Sequence, residues 1–98
     1  MSVPVRVTPA ARNDIRQGER YFEGQRVGLG AEFVDEALVT FDRIGDMPLG
    51  YGEVGEGVRA VGLRRFGYVV YYRSDGTEAE ILAVLHGGRS PEVWQARA

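Results

Sequence analysis

Val3, Val5 and Val7 alternate with Pro4, Arg6 and Thr8, the period of a strand with one buried face. Pro4 has no N–H to give to a ladder, which confines it to a sheet edge or a strand start. Thr8-Pro9 marks a helix entry, because the hydroxyl can accept from a free backbone N–H and proline is preset for the first turn. Ala11, Ile15, Gly18 and Phe22 then recur at helical spacing, with Arg12, Arg16, Glu19, Arg20 and Glu23 mostly on the other side. The pattern predicts an amphipathic helix that ends near Gly24. Gly28 and Gly30 mark a short connection before a second stripe of Phe33, Ala37 or Leu38, Phe41 and Ile44. So short a connection folds the two helices back as an antiparallel hairpin.

The stretch from Gly45 to Gly57 is too rich in glycine for a helix or strand interior and reads as a loop. Three β-rich runs come after it, Val58 to Leu63, Phe66 to Arg73 and Thr77 to His86. Asp75-Gly76 between the last two predicts a hairpin with a two-residue primed turn. Ile81 to Leu85 is apolar at both parities, as a central strand would be. Ser90-Pro91-Glu92 supplies a cap, a first turn and a dipole-compensating acid for a short helix that carries Trp94. The predicted fold is α+β, a single domain over residues 1–98. It has an N-terminal strand, an antiparallel helical hairpin on one face of a mainly antiparallel four-stranded sheet, and a short C-terminal helix. Phe66, Tyr68, Val70 and Tyr72 share one face of their strand and Val69, Tyr71 and Arg73 the other. The face away from the hairpin therefore needs a cover: the C-terminal segment, a partner, or none, leaving an apolar patch.

Composition narrows the chemistry. With 98 residues, 44% of them hydrophobic, the chain suits one small core. Cysteine is absent and histidine occurs once, at His86, which excludes disulfides, thiol nucleophiles and multi-histidine metal sites. No metal and no cofactor is expected. No apolar run approaches a bilayer span, and the first eight residues lack the apolar stretch of a signal peptide; a cytoplasmic location without membrane contact is the expectation. All twelve basic residues are arginine, so any anion site uses a planar, permanently charged guanidinium. The net charge of −2 hides a division: residues 28–57 hold one arginine against seven acids, whereas Arg59, Arg64, Arg65 and Arg73 meet no acid between Val58 and Arg73.

His86 ends the central apolar strand and can serve as a general acid or base, or as a structural histidine at a strand terminus. Arg59, Arg65 and Arg89 can converge near it on a phosphodiester, or pair with the acidic second helix. Tyr68, Tyr71 and Tyr72 among arginines have the look of a stacking platform for single-stranded nucleic acid, and tyrosine is equally an ordinary strand residue. Gly28-Leu29-Gly30 comes after a helix and lacks the rest of a phosphate loop. Glu53 and Glu56 have no second carboxylate in register, and Ser74 and Ser90 have no nucleophile-elbow context.

Taken in order, Thr8-Pro9-Ala10-Ala11-Arg12-Asn13-Asp14-Ile15, Tyr21-Phe22, Phe33 through Phe41 to Met47-Pro48, Val58-Arg59, Leu63-Arg64-Arg65-Phe66-Gly67-Tyr68, Tyr71-Tyr72-Arg73 and Ile81 to His86 with Arg89 resemble toxins of the RelE/ParE superfamily of type II toxin-antitoxin modules. The resemblance implies the same hairpin-on-sheet fold and a cognate antitoxin as partner. It offers two mechanisms: RelE-like members cut messenger RNA on the ribosome with a basic cluster and a general acid or base, and ParE-like members inhibit DNA gyrase. The long hairpin, the lack of lysine and the His86-Gly87-Gly88-Arg89 ending look ParE-like, so no catalytic residue is expected. In the nuclease alternative, Arg59, Arg65, His86 and Arg89 would be the catalytic set. A third alternative is a degenerate, non-toxic module that only binds the antitoxin. Candidates for partner binding are Arg64, Arg65, Tyr68, Tyr71, Arg73, Arg89 and Trp94.

Overall fold

The computed structural model describes residues 2–98. The elements run in the order β1 (Val5–Val7), α1 (Pro9–Gln25), α2 (Leu29–Asp46), β2 (Glu53–Gly55), β3 (Val58–Gly62), β4 (Tyr68–Ser74), β5 (Ala79–His86) and α3 (Glu92–Gln95). They form one five-stranded sheet of order β1-β5-β4-β3-β2, parallel between β1 and β5 and antiparallel elsewhere. The fold is the expected α+β arrangement, with β1 at an edge and β5 inside.

The fifth strand corrects the expected four. Glu53 pairs with Arg59 and Gly55 with Val58, so part of the glycine-rich stretch is a short edge strand. Its turn residues Glu56 and Gly57 have φ of 55° and 74°, the positive values that a two-residue primed turn requires. The tight hairpin therefore lies here and not at Asp75-Gly76. There Ser74 pairs with Ala79, leaving a longer loop organised by the Asp75 carboxylate, which accepts from the Thr77 amide at 2.9 Å and the Thr77 hydroxyl at 2.7 Å.

Thr8 caps α1, accepting from the Ala11 amide at 3.2 Å and donating to the Ile81 carbonyl at 2.8 Å, which ties the helix entry to β5. Gly28 starts α2 in the left-handed region with no side chain to cap it. The Glu23 carboxylate from α1 does so instead, accepting from the Gly28 and Gly30 amides at 3.0 Å. A Cβ on Gly18 would lie 2.6 Å from the Phe33 ring, and one on Gly30 would lie 2.7 Å from the Glu19 carbonyl oxygen. Both glycines are thus what lets the helices approach so closely. In the second stripe Ala37 is the buried choice and Leu38 is left exposed.

One core, containing Phe22, Phe33, Ile44, Val70, Tyr72, Ile81 and Val84, lies between the hairpin and the sheet. The other sheet face is covered by the chain's own C-terminal segment: Trp94 stacks on Tyr71 at 5.4 Å and packs with Val58, Leu82 and Leu85. The remainder of that face carries an ion ladder in which Glu80 bridges Arg6 and Arg73 at 3.3 Å each.

Between Tyr71 and Tyr72 the register shifts: Tyr71 pairs with Ala83 but Tyr72 pairs with Ile81, leaving Leu82 as an extra residue on β5. This bulge reverses the parity of the strand beyond it. Ile81 and Val84 lie in the hairpin core while Leu82, Ala83 and Leu85 lie in the Trp94 core. Beyond Ile81, β5 has no strand on its outer side. Asp14 and Arg97 close that edge. The buried Asp14 carboxylate accepts from the Val84 amide at 3.0 Å and takes Arg97 bidentately at 2.6 and 3.2 Å, and Arg97 also donates to the Leu82 carbonyl at 3.2 Å.

Stability measurements can probe this packing at three places. Gly18→Ala forces a methyl into the fully buried Phe33 ring and should cost about 1–3 kcal/mol by chemical denaturation; an unchanged midpoint would show that the helices can separate freely. Asp14→Ala strands the Val84 N–H and should cost about 1–3 kcal/mol, whereas Asp14→Asn, which can still accept from that amide, should cost less; equal losses would assign the whole effect to the ion pair. Desolvation raises the pKa values of Tyr68, Tyr71 and Tyr72 above the ordinary value of 10.0. The unfolded chain therefore loses these protons first, so their contribution to stability holds below pH 10 and falls as pH rises above it. Tyr71→Phe should flatten that alkaline fall without changing stability at pH 7, as read from denaturation midpoints between pH 8 and 11.

Candidate functional site

A concavity lined by aromatic and titratable side chains lies between α1 and the adjoining ends of β4 and β5. Three local features build it. The bulge at Leu82 turns His86 to the hairpin side, where its ring meets Tyr68 edge-on at 5.7 Å. The turn between β3 and β4 holds Phe66 at φ 78°, a conformation that costs a non-glycine residue on the order of 1–3 kcal/mol. That cost is offset by ring contacts of Phe66 with Phe22 at 4.8 Å and Phe33 at 5.5 Å and by the Arg65 guanidinium 4.7 Å above its face. Finally, the Gly87 amide donates to the Gly67 carbonyl at 2.8 Å, fastening the exit of β5 to that turn.

The result is a cleft of about 390 Å³ walled by Tyr21, Phe22, Gln25, Phe66, Tyr68 and His86. It runs into a second hollow of about 230 Å³ that shares Tyr21, Tyr68 and His86 and adds Gln17 and Arg89. The floor is aromatic and the rim polar, the usual make-up of a binding site. The His86 Nδ1 accepts from the Gly88 amide at 3.2 Å, so the neutral ring carries its proton on Nε2. Burial pushes the Tyr68 hydroxyl to higher pKa, reinforced by Tyr21, while Arg89 draws it back down. A histidine, a phenol and a guanidinium thus face one hollow. No group of three or more histidine, cysteine, aspartate or glutamate side chains among the described residues could hold a metal.

Of the residues singled out in the sequence, His86, Arg89 and Tyr68 come together here. Arg59 does not. Its guanidinium donates to the Tyr51 carbonyl at 2.7 Å and the Leu49 carbonyl at 3.3 Å, anchoring the loop before β2. Arg65 reaches the cleft wall only through Phe66 and pairs with Glu32 at 3.1 Å; Glu32 also takes Arg26 at 3.3 Å, and the Arg65 contact is the first cause of its lowered pKa. Arg64 is exposed in the same turn. Arg73 belongs to the ion ladder on the far face, and Tyr71 and Trp94 to the core beneath α3. Trp94 is 5% exposed.

The sequence assigned no site role to Asp14 and Tyr21, which entered only as part of the family pattern, and did not mark Gln17, Gln25 or Arg97 at all. Asp14 left a visible signal, since it sits within the apolar stripe of Ala11, Ile15, Gly18 and Phe22 at a position only a partnered carboxylate can occupy. Nothing local marks Gln17, Gln25 or Arg97, whose neighbours are distant in the chain.

The sequence matches the family described as ParE toxin of type II toxin-antitoxin system, parDE, over residues 5–91. Among solved structures, it is similar to a chain of the chromosomal ParDE TA system from P. aeruginosa. The TM-score is 0.77 at 18% identity, covering 87% of this chain and 96% of that one. It is also similar to a chain of the RelBE2 toxin-antitoxin complex from Mycobacterium tuberculosis, with a TM-score of 0.61 at 24% identity, covering 88% of this chain and 92% of that one. At such identities the two structures speak for the fold alone. No match was found among curated proteins. The family match takes in every element from β1 to β5, the strands and hairpin that frame the cleft, and the chain belongs to the ParE toxin family of type II toxin-antitoxin systems.

Proposed function

We propose that this toxin arrests growth by obstructing DNA gyrase and is neutralised by a cognate antitoxin that binds it directly. The reading is supported chiefly by the dispersal of the cations that messenger cleavage would need. A phosphodiester in its transition state must be met by several cations at once. Arg59 is spent on two loop carbonyls and Arg65 is held by Glu32. His86 is left with Arg89 alone from the candidate set, and no lysine exists to replace the missing charge. A net charge of −2 also gives little of the counterion release that draws nucleases onto RNA. Obstruction of a protein machine makes no such demand, because it needs shape and surface chemistry and no bond need be made or broken.

Both proposed partners are proteins, and the two solved similar structures are described as a ParDE TA system and a toxin-antitoxin complex. No helix among the described residues is long and apolar enough to cross a membrane, in keeping with an action on gyrase in the cytoplasm.

The deciding assay is gyrase supercoiling with the purified toxin. Relaxed plasmid should remain relaxed at saturating toxin and regain supercoils when the antitoxin is added in equal amount, while messenger in a translating extract stays intact. Full gyrase activity together with cut messenger would overturn the gyrase reading in favour of ribosome-dependent cleavage, with His86 and Arg89 the members of the candidate set that face the cleft. Full gyrase activity with intact messenger and no growth defect would instead identify a non-toxic antitoxin-binding module.

A further inference from the structure

The outer face of the helical hairpin, turned away from the sheet, carries two separate rows of charge. On α1, Arg12, Arg16 and Arg20 are exposed and stand one turn apart. On α2, Asp35 and Asp42 are exposed and two turns apart, opposite the buried stripe of Phe33, Ala37, Thr40 and Ile44. Among the described residues none of these three arginines or two aspartates forms an ion pair. The acids of α1, Glu19 and Glu23, stand towards the loop end, where Glu23 caps α2. Between the two aspartates, Leu38 and Val39 are 52% and 49% exposed. Leu38 falls in the same four-residue row as Gly30, which touches α1, so it stands along the seam between the helices.

The two rows stand level with each other. The helices run antiparallel with Gly18 against Phe33 and Gly30 against Glu19. Counted from those contacts, Arg16 stands at about the height of Asp35, and Arg12 at about that of Leu38, one turn short of Asp42. Helical side chains lean towards the N-terminus of their own helix, so in an antiparallel pair Arg12 and Asp42 lean towards one another's height, as do Arg16 and Asp35. A second copy laid face to face can bring these groups together. A two-fold axis parallel to the helices stacks each α1 on the other copy's α2 at unchanged height, and the two Leu38 side chains meet near the axis. An axis across the helices would stack α1 on α1 and set arginine against arginine. The charges therefore favour the first arrangement and oppose the second.

We infer that the toxin associates with a second copy of itself through the outer face of its hairpin, as a two-fold dimer in which Arg12 and Arg16 of each copy meet Asp42 and Asp35 of the other around a Leu38 contact. Each ion pair occurs twice by symmetry. Exposed pairs are individually weak and are screened by salt, so the dimer depends on concentration and ionic strength and is not obligate. Gln17 and Tyr21, which rim the cleft, lie on the side of α1 turned away from α2, so dimerisation leaves both clefts open. The inference stands on the charge pattern of α1 and α2 and does not depend on whether gyrase is the target.

The test is the mass of the intact toxin in analytical ultracentrifugation, followed across concentration and salt. The 10.8 kDa chain should move towards twice its mass at about 100 μM protein and about 50 mM salt, with association weakened at least tenfold at about 500 mM salt. Arg12→Glu/Arg16→Glu and Asp35→Arg/Asp42→Arg each turn the face towards a single sign, and each alone should stay monomeric. An equal mixture of those two variants should dimerise again, because their faces are then opposite. Leu38→Glu sets two acids together near the axis and should weaken association at least tenfold, while Arg73→Glu on the far face changes it less than twofold. Each variant is checked for an unchanged melting midpoint, so that loss of association is not loss of fold. A wild-type chain that stays monomeric at low salt, or a dimer that both charge-reversed variants retain, would overturn the assignment. So would a mixture of the two that stays monomeric, since their faces would then not pair.

Discussion

The structure depends on a carboxylate placed where a β-strand has no neighbour. β5 carries one residue more than its antiparallel partner, and past Ile81 its outer edge has no strand beside it. Buried backbone groups left in that state would cost more than most single packing contacts return. Asp14, a buried acid on α1, accepts from the Val84 amide, and Arg97 from the C-terminal segment answers both that carboxylate and the Leu82 carbonyl. One small network therefore joins the first helix, the central strand and the end of the chain. The bulge beside it also decides which side of the sheet His86 faces.

The helical hairpin is positioned by the same economy of space. Gly18 admits the Phe33 ring and Gly30 admits the Glu19 backbone, and the Glu23 carboxylate supplies the cap that Gly28 lacks. The close approach brings Phe22 and Phe33 together at 5.2 Å and carries both against Phe66 and Tyr68. This aromatic block is both the end of the core and the floor of the cleft. The site accordingly has an aromatic base and polar groups at its margin. The strained turn at Phe66 completes the wall.

Function depends on how the charges are distributed over this frame. The cations next to acids are consumed in ladders on the far face and in the Arg26, Glu32, Arg65 cluster. Those on α1 and at the end of β5 are left open to solvent. A small acidic protein thus keeps exposed guanidinium groups on α1 and at the end of β5, and its family is that of toxins of type II toxin-antitoxin systems.

The chain's periodicities alone determined the two helices, the edge position of β1, the central place of β5 and the short helix bearing Trp94, because each is written in local spacing and local capping. Residue order also marked the toxin family, since its motifs lie along nearly the whole chain. The hairpin between β4 and β5 falls at Asp75-Gly76 as the residues predict, but its longer loop and the tight turn at Glu56-Gly57 were not legible, because the φ values there and the loop bonds of Asp75 depend on which strands pair. The divergent fates of Arg59, Arg65 and Arg89 depend on carbonyls and carboxylates far away in sequence, as does the partnership of Asp14 with Arg97 across 83 positions. Tertiary structure decided these, since a guanidinium or a carboxylate has no role until folding determines what lies within hydrogen-bonding reach.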